Sequence, residues 1–216
     1  MNIVRSLERR LEKLLEGVAG KVFSGRIHPS ELAGKLAREA DFARFQHSTG
    51  PATANLYVIQ VNPRDLSVET SKLERMLAAE MTAYTSEEGL RLEGPIRVEI
   101  KAHPAAISGR ADVHVEVSPG PPVVWAHLRG NGGSIDVGRN RATLGRAPDS
   151  DVVIAHDDIS RYHALIYREK GQSWIQDLGS ANGTTVDGQQ VGREPIQIRT
   201  GSMIGLSDHR FRFVET

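Results

Sequence analysis

The sequence predicts two domains, an amino-terminal α+β domain and a carboxy-terminal all-β sandwich. Three observations lead there. Helix-period apolar stripes lie before residue 118, short strand-like segments broken by turns follow residue 122, and Ser118-Pro119-Gly120-Pro121-Pro122 separates them. Successive prolines fix φ and withhold backbone donors, so neither a helix nor a central strand should pass through that segment. The expected organisation is a domain over residues 1–117, a short linker over 118–122 and a second domain over 123–216.

Val4, Leu7, Leu11, Leu14 and Val18 recur at alternating steps of three and four, the stripe of a helix running from about Asn2 to Leu15 or Val18. Glu8, Arg9, Glu12, Lys13 and Glu16 cover its other side. Glu8 and Glu12 repel at i,i+4, so burial of the stripe must hold this helix. It can pack on its own domain, or dock on a partner or a second copy of the chain. A membrane surface is disfavoured, because the polar face mixes both signs.

Gly17 and Gly20 end this helix. Pro29, with Ser30 and Glu31, opens a second helix that turns Leu32, Leu36, Ala37 and Ala40 inward, and His28 is its entry residue. Residues 43–52 lose periodicity, and Gly50-Pro51 mark a loop. Thr49 and Thr53, beside that loop, are expected to be exposed and open to phosphorylation. Asn55 to Val61 reads as a strand closed by Asn62-Pro63. Leu73, Leu77, Met81 and Tyr84 give a third helix ending near Gly89. Ile96, Val98 and Ile100, then Val113, Val115 and Val117, alternate as two half-buried strands. The order is ααβαββ, with helices laid against one face of a three-stranded sheet.

In the second half, candidate strands fall at Val124–Leu128, Ser134–Val137, Arg141–Gly145, Val152–Ile154, Ala164–Arg168, Trp174–Asp177, Thr184–Val186, Ile196–Ile198, Met203–Ile204 and His209–Val214. That spacing argues for a sandwich. Asn131-Gly132-Gly133, Asn182-Gly183 and Asp187-Gly188 are turn formers that tolerate positive φ. So many short strands expose loops at one edge, where recognition residues usually lie.

Composition narrows the function. The chain carries 27 basic and 27 acidic side chains, and neither half has the basic field of a nucleic-acid binder. There is no cysteine, which excludes disulfides, thiol chemistry and Cys-ligated metals. His28, His47, His103 and His114 have no metal-ligand spacing, so neither metal nor cofactor is expected. No secretory signal or membrane-spanning stretch is visible, and a cytoplasmic chain is expected, open to recruitment to the inner face of the membrane by a partner. Nucleotide-binding glycine loops and nucleophile motifs are missing too, which argues against an enzyme.

Three polar signatures remain: Gly145-Arg146, then Ser160-Arg161-Tyr162-His163, then Asp177-Leu178-Gly179-Ser180-Ala181-Asn182-Gly183-Thr184. They supply donors suited to a phosphate dianion. Arginine offers a planar fork, serine a hydroxyl donor, and asparagine both a donor and an acceptor. Singly each is weak. His163 alone reads as a buried or loop-stabilising histidine, and Asp177 as a brace for its loop.

In this order the signatures resemble the forkhead-associated domain family over roughly Trp125 to Val214. The resemblance implies an 11-stranded sandwich whose loops bind phosphothreonine peptides. It implies that Arg146 and Ser160 contact the phosphate, that Arg161 lies at the peptide, and that Asn182 holds the peptide backbone. Gly145 and His163 would shape the site, and Ser180, Gly183 and Thr184 would build the neighbouring loop. One position departs: many members have Ser or Thr where this chain has Ala181, losing a hydroxyl at the phosphate. Arg161, Arg139 and Arg141 are the cations available to compensate.

The stretch from Asn2 to about Val117 resembles the module paired with this domain in certain, mostly actinobacterial, proteins. Gly25-Arg26-Ile27-His28-Pro29-Ser30-Glu31-Leu32 and Tyr57-Val58-Ile59-Gln60-Val61-Asn62-Pro63 carry that likeness. The implied function is a non-enzymatic adaptor in serine/threonine-kinase signalling, linked to cell-wall regulation. Its expected partners are a phosphothreonine-containing protein and a kinase or kinase substrate, with self-association through the amino-terminal domain also open. The alternative is a structural or self-associating protein with a weakened phosphate site.

Overall fold

The computed structural model describes residues 3–67 and 69–216. Two compact units emerge. The first holds residues up to Phe45, Ala52–Thr85 and Leu92–Gly120; the second holds Gln46–Pro51, Ser86–Arg91 and Pro121–Thr216. The main boundary thus falls inside the proline-rich segment. However, two short stretches of the expected first domain pack with the second unit.

In chain order the first half contains α1 (Ile3–Glu16), α2 (Ala19–Val22), α3 (Pro29–Phe42), β1 (Phe45–His47), β2 (Gly50–Ala52), β3 (Leu56–Val61), α4 (Ser71–Glu87), β4 (Arg97–Ala102) and β5 (Ala111–Glu116). A single 3₁₀ turn covers Pro63–Asp65. The expected start of α1 at Asn2 lies outside the described residues. Leu7, Leu11 and Leu15 of α1 are fully buried, and Leu14 packs only partly, so the stripe runs in steps of four. Those leucines share one core with Leu32 and Leu36 of α3 and Leu73, Leu77 and Met81 of α4. The stripe is therefore used inside its own unit, which removes the face expected to drive self-association.

β3 is the centre of a three-stranded sheet, order β4-β3-β5. It pairs parallel with β4 and antiparallel with β5. The parallel pair needs a crossover, and α4 supplies it. Tyr57, Ile59 and Val61 alternate into the helical core, while Val58 and Gln60 are half-buried on the other face. His28 takes the N-cap position of α3 with Pro29 in the first turn.

Three expectations need correction. Gly20 does not end a helix: it lies within α2, a one-turn segment held by burial of Ala19 and Val22. Residues 45–52 form a hairpin rather than a loop, turned by Ser48 and Thr49 and closed by Gly50 at φ +120. Three-residue strands are too short to show a period, which is why the sequence pattern misses them. Thr53 is only 2% exposed, its hydroxyl directed at the Ala40 carbonyl, so it is not an exposed phosphorylation position.

The second half contributes β6 (Ala126–Gly130), β7 (Gly133–Val137), β8 (Ala142–Gly145), β9 (Val152–Val153), β10 (Ala164–Glu169), β11 (Gln172–Asp177), β12 (Thr184–Val186), β13 (Gln189–Val191), β14 (Ile196–Ile198), β15 (Met203–Leu206) and β16 (His209–Glu215). They form a five-stranded sheet, order β14-β11-β10-β8-β9, and a six-stranded sheet, order β13-β12-β15-β16-β6-β7. This is the expected sandwich. β13 was not expected: its two glutamines hide a strand that pairs with β12 across Asp187-Gly188, both at positive φ as a tight hairpin turn requires. Leu128, Leu144, Ile166, Ile175, Ile204 and Phe213 fill the core. Trp125 meets Phe213 edge-on and donates its indole N–H to the Arg139 carbonyl at 3.0 Å. No helix among the described residues is long and apolar enough to cross a membrane.

Leu36 and Leu144 lie at the centres of the two cores, both fully buried. Leu36→Ala and Leu144→Ala are each expected to cost about 2–5 kcal/mol, read as a lowered denaturant midpoint. A loss below about 0.5 kcal/mol would contradict these core assignments.

Candidate functional site

Strand β8 ends at Gly145, and the chain then loops through residues 146–151 into β9. Gly145 has no room for a side chain, since a Cβ there would lie 2.1 Å from the Arg161 carbonyl oxygen. This close approach lets two loops bond directly. Arg146 N–H donates to the Ser160 carbonyl at 3.0 Å, and Ala147 N–H donates to the Arg161 carbonyl at 3.1 Å. Ser150 Oγ donates to the same Arg161 carbonyl at 3.1 Å. Arg146 and Ser160 are thereby held side by side through their backbones.

Their side chains differ in exposure. Arg146 and Arg161 are exposed, and neither guanidinium has a hydrogen-bond or ion-pair partner among the described residues. Ser160 is half-buried, and its Oγ accepts the Ala181 N–H at 3.0 Å. With that lone pair engaged, the hydroxyl proton remains available to donate to a ligand.

His163, at 0% exposure, joins this loop to the next. Ser160 N–H donates to its Nδ1 at 3.2 Å, and its Nε2 lies 3.1 Å from the Gly183 carbonyl. A ring that accepts at Nδ1 and donates at Nε2 is the neutral Nε2–H tautomer. Its own backbone is pinned as well, N–H to the Leu144 carbonyl and carbonyl to the Leu178 N–H.

Asp177 builds the third loop. Its Oδ1 accepts the Gly179 and Ser180 amides at 2.7 and 2.9 Å, and its Oδ2 accepts the Ser180 and Thr184 hydroxyls, both at 2.6 Å. Ser180 Oγ in turn accepts the Gly183 N–H. Gly183 sits at φ +81, where a Cβ would also strike Gln190 Nε2. Asn182, exposed on this loop, donates through Nδ2 to the Asp158 carbonyl at 2.8 Å. The loops bearing Ser160 and Asn182 are thus tied by Asn182, Ala181 and His163.

Asp158 is absent from the sequence signatures, and no local pattern marks it. The Ser207 hydroxyl and the His209 imidazole, 3.0 Å away, hold its carboxyl down to about 2. Arg141 does not reach the site. It donates to the Gly89 carbonyl at 2.6 Å and to Glu169 at 3.1 Å, and its guanidinium lies 4.6 Å from the Tyr167 ring centroid. Arg139 lies 3.9 Å from Asp151. Of Arg139, Arg141 and Arg161, only Arg161 is exposed and without a partner among the described residues.

Burial alone would raise the Asp177 carboxyl, yet the Ser180 and Thr184 hydroxyls and the loop amides outweigh it and hold it below its ordinary value. The folded value lies below the unfolded one. Its stabilising contribution is therefore complete above the unfolded value, about pH 4, and is lost as pH falls through the folded value. Asp177→Asn should be less stable than the parent at neutral pH, with a smaller gap at acid pH, below the unfolded value of about 4. Denaturant melts at both pH values check this, and a gap independent of pH would contradict the ionised brace.

Comparison with known proteins follows the same two halves. A family model described as FHA domain matches residues 142–207, and one described as FhaA, N-terminal domain matches residues 4–114. The transcriptional regulatory protein EmbR of Mycobacterium tuberculosis is 30% identical over 91 residues, 42% of this chain and 23% of EmbR. The FHA domain-containing protein FhaA of the same organism is 25% identical over 130 residues, 56% of this chain and 25% of FhaA. The chain thus spans about a quarter of the length of these relatives. A solved FhaA FHA domain, complexed with the intracellular domain of Rv3910, is 24% identical, covering 41% of this chain and 98% of that one, with a TM-score of 0.37. Since the amino-terminal match takes in more than half of its length, the chain belongs to the FhaA N-terminal domain family, here joined to an FHA domain.

Proposed function

We propose that the second unit binds a phosphothreonine segment of another protein, and that the chain is a non-enzymatic adaptor in serine/threonine-kinase signalling with a link to cell-wall regulation. One observation carries this reading. The Arg146 N–H to Ser160 carbonyl bond sets the residue whose exposed guanidinium has no partner among the described residues beside the residue whose hydroxyl proton is free to donate. A dianion at that point would receive a planar fork, a hydroxyl and, from Arg161, a second positive charge.

In this reading Arg146 and Ser160 hold the phosphate, Arg161 adds charge, and Asn182 presents its Oδ1 to the peptide backbone. Oδ1 has no partner among the described residues. Gly145, His163, Ser180, Gly183 and Thr184 act from behind, setting loop geometry without touching the ligand. None of these groups forms a nucleophile-and-base pair, so the site suits capture rather than bond cleavage.

Calorimetry with matched phosphothreonine and unmodified peptides tests the proposal. The modified peptide alone should bind, and equal or absent binding of both would refute it. Arg146→Ala should weaken binding about 100-fold or more while the fold persists. Ala181→Ser, restoring a hydroxyl beside Ser160, should tighten it about tenfold. An unchanged affinity in either variant would remove that residue from the site.

A further inference from the structure

We propose that Arg91, far from the polar signatures in sequence, is a positioning residue for the phosphate-binding loop; this rests on the phosphothreonine reading above. Loop 146–151 begins with Arg146 and ends with Asp151. Asp151 closes it onto β8: its Oδ2 accepts the Thr143 N–H at 3.0 Å and the Thr143 hydroxyl at 3.1 Å. Its own N–H donates back to Thr143 Oγ1 at 3.0 Å. The carboxylate that does this is only 11% exposed. A buried charge of this kind needs a partner.

Arg91 is that partner, and it engages both oxygens. Nη1 donates to Oδ2 at 2.8 Å and Nη2 to Oδ1 at 2.7 Å, while Nη1 also reaches the Arg141 carbonyl at 3.1 Å. Arg139 approaches only to 3.9 Å. Arg91 is itself held: its N–H donates to the Pro51 carbonyl at 2.9 Å, and the preceding Gly89 carbonyl accepts Arg141 Nε. Residues 86–91 belong to the second compact unit, although Arg91 lies outside the residues that match the FHA domain.

The fork has two consequences for a dianion bound by Arg146. It keeps Asp151 on Thr143, which fixes the far end of the loop that Arg146 begins. It also cancels a negative charge carried by that same loop. Without Arg91, the loop loosens and an uncompensated carboxylate opposes phosphate. A lysine can restore the charge but not the two-oxygen geometry.

The test uses the full chain and one phosphothreonine peptide, selected from a degenerate library on the parent protein. Arg91→Met should weaken binding about tenfold at a temperature where its melting curve shows it folded, and Arg91→Lys should recover most of that loss. Hydrogen exchange at the Ala147 and Ser150 amides should quicken in Arg91→Met, a local change that general destabilisation would not confine to this loop. An affinity within about twofold of the parent, with a lowered melting temperature only, would reduce Arg91 to a stabilising residue and overturn the proposal. If Arg91→Met does not fold, Arg91→Lys decides: about threefold weaker binding supports the role, and unchanged binding overturns it. A library that yields no peptide on the parent refutes the phosphothreonine reading and this inference with it. A peptide that binds parent and variant alike refutes this inference alone.

Discussion

The site depends on one buried neutral imidazole. His163 takes a backbone N–H from its own loop and gives its ring proton to the carbonyl of Gly183 on another. Neither a charged imidazole nor the opposite tautomer can serve both partners. Because the ring is inaccessible to solvent, water cannot substitute for either bond, and a lost partner would leave a buried polar group unsatisfied. The same backbone that donates to this ring carries Ser160. The backbone of Ser160, which sets where its hydroxyl can reach, is thus fixed in part by this bond.

Around that ring, buried and exposed groups divide the work. Asp177, Thr184, Ser180 and Gly145 are committed to internal partners or internal space. Arg146 and Arg161 are left exposed, with no partner among the described residues. A guanidinium paired to a neighbouring carboxylate would have to break that pair before receiving a ligand. Three acids of the adjoining loops have other partners: Asp158 bonds His209, Asp149 the Tyr162 hydroxyl, and Asp151 Arg91.

How much of this was legible in the sequence follows from the range of each signal. The helices and long strands announced themselves by period, and the loop residues by their order. What escaped were elements whose cause is not local. The hairpin at 45–52 is too short to be periodic. β13 is polar and takes its strand character from pairing with β12. Arg91 looks like any charged residue after a helix, and only the burial of Asp151, sixty positions away, gives it meaning. Thr53 looked exposed because it follows a Gly-Pro pair, but the hairpin returns it to the core. At the candidate site the residue identities were readable. Their bonding was not, since Asp158, which receives Asn182, belongs to no motif.

Ala181 shows why that distinction matters. Its side chain lacks the hydroxyl that many forkhead-associated domains place there, which by itself suggests a decaying site. Yet the backbone at Ala181 still donates to Ser160, and the neighbouring Asn182 still bridges to Asp158. The alanine therefore lacks a hydroxyl but leaves the loop bonding intact. Here the glycine that admits the Arg161 carbonyl, the imidazole bridge and the four bonds to Asp177 are all in place. The frame around the three loops is thus complete, and what distinguishes this chain is one hydroxyl fewer at residue 181.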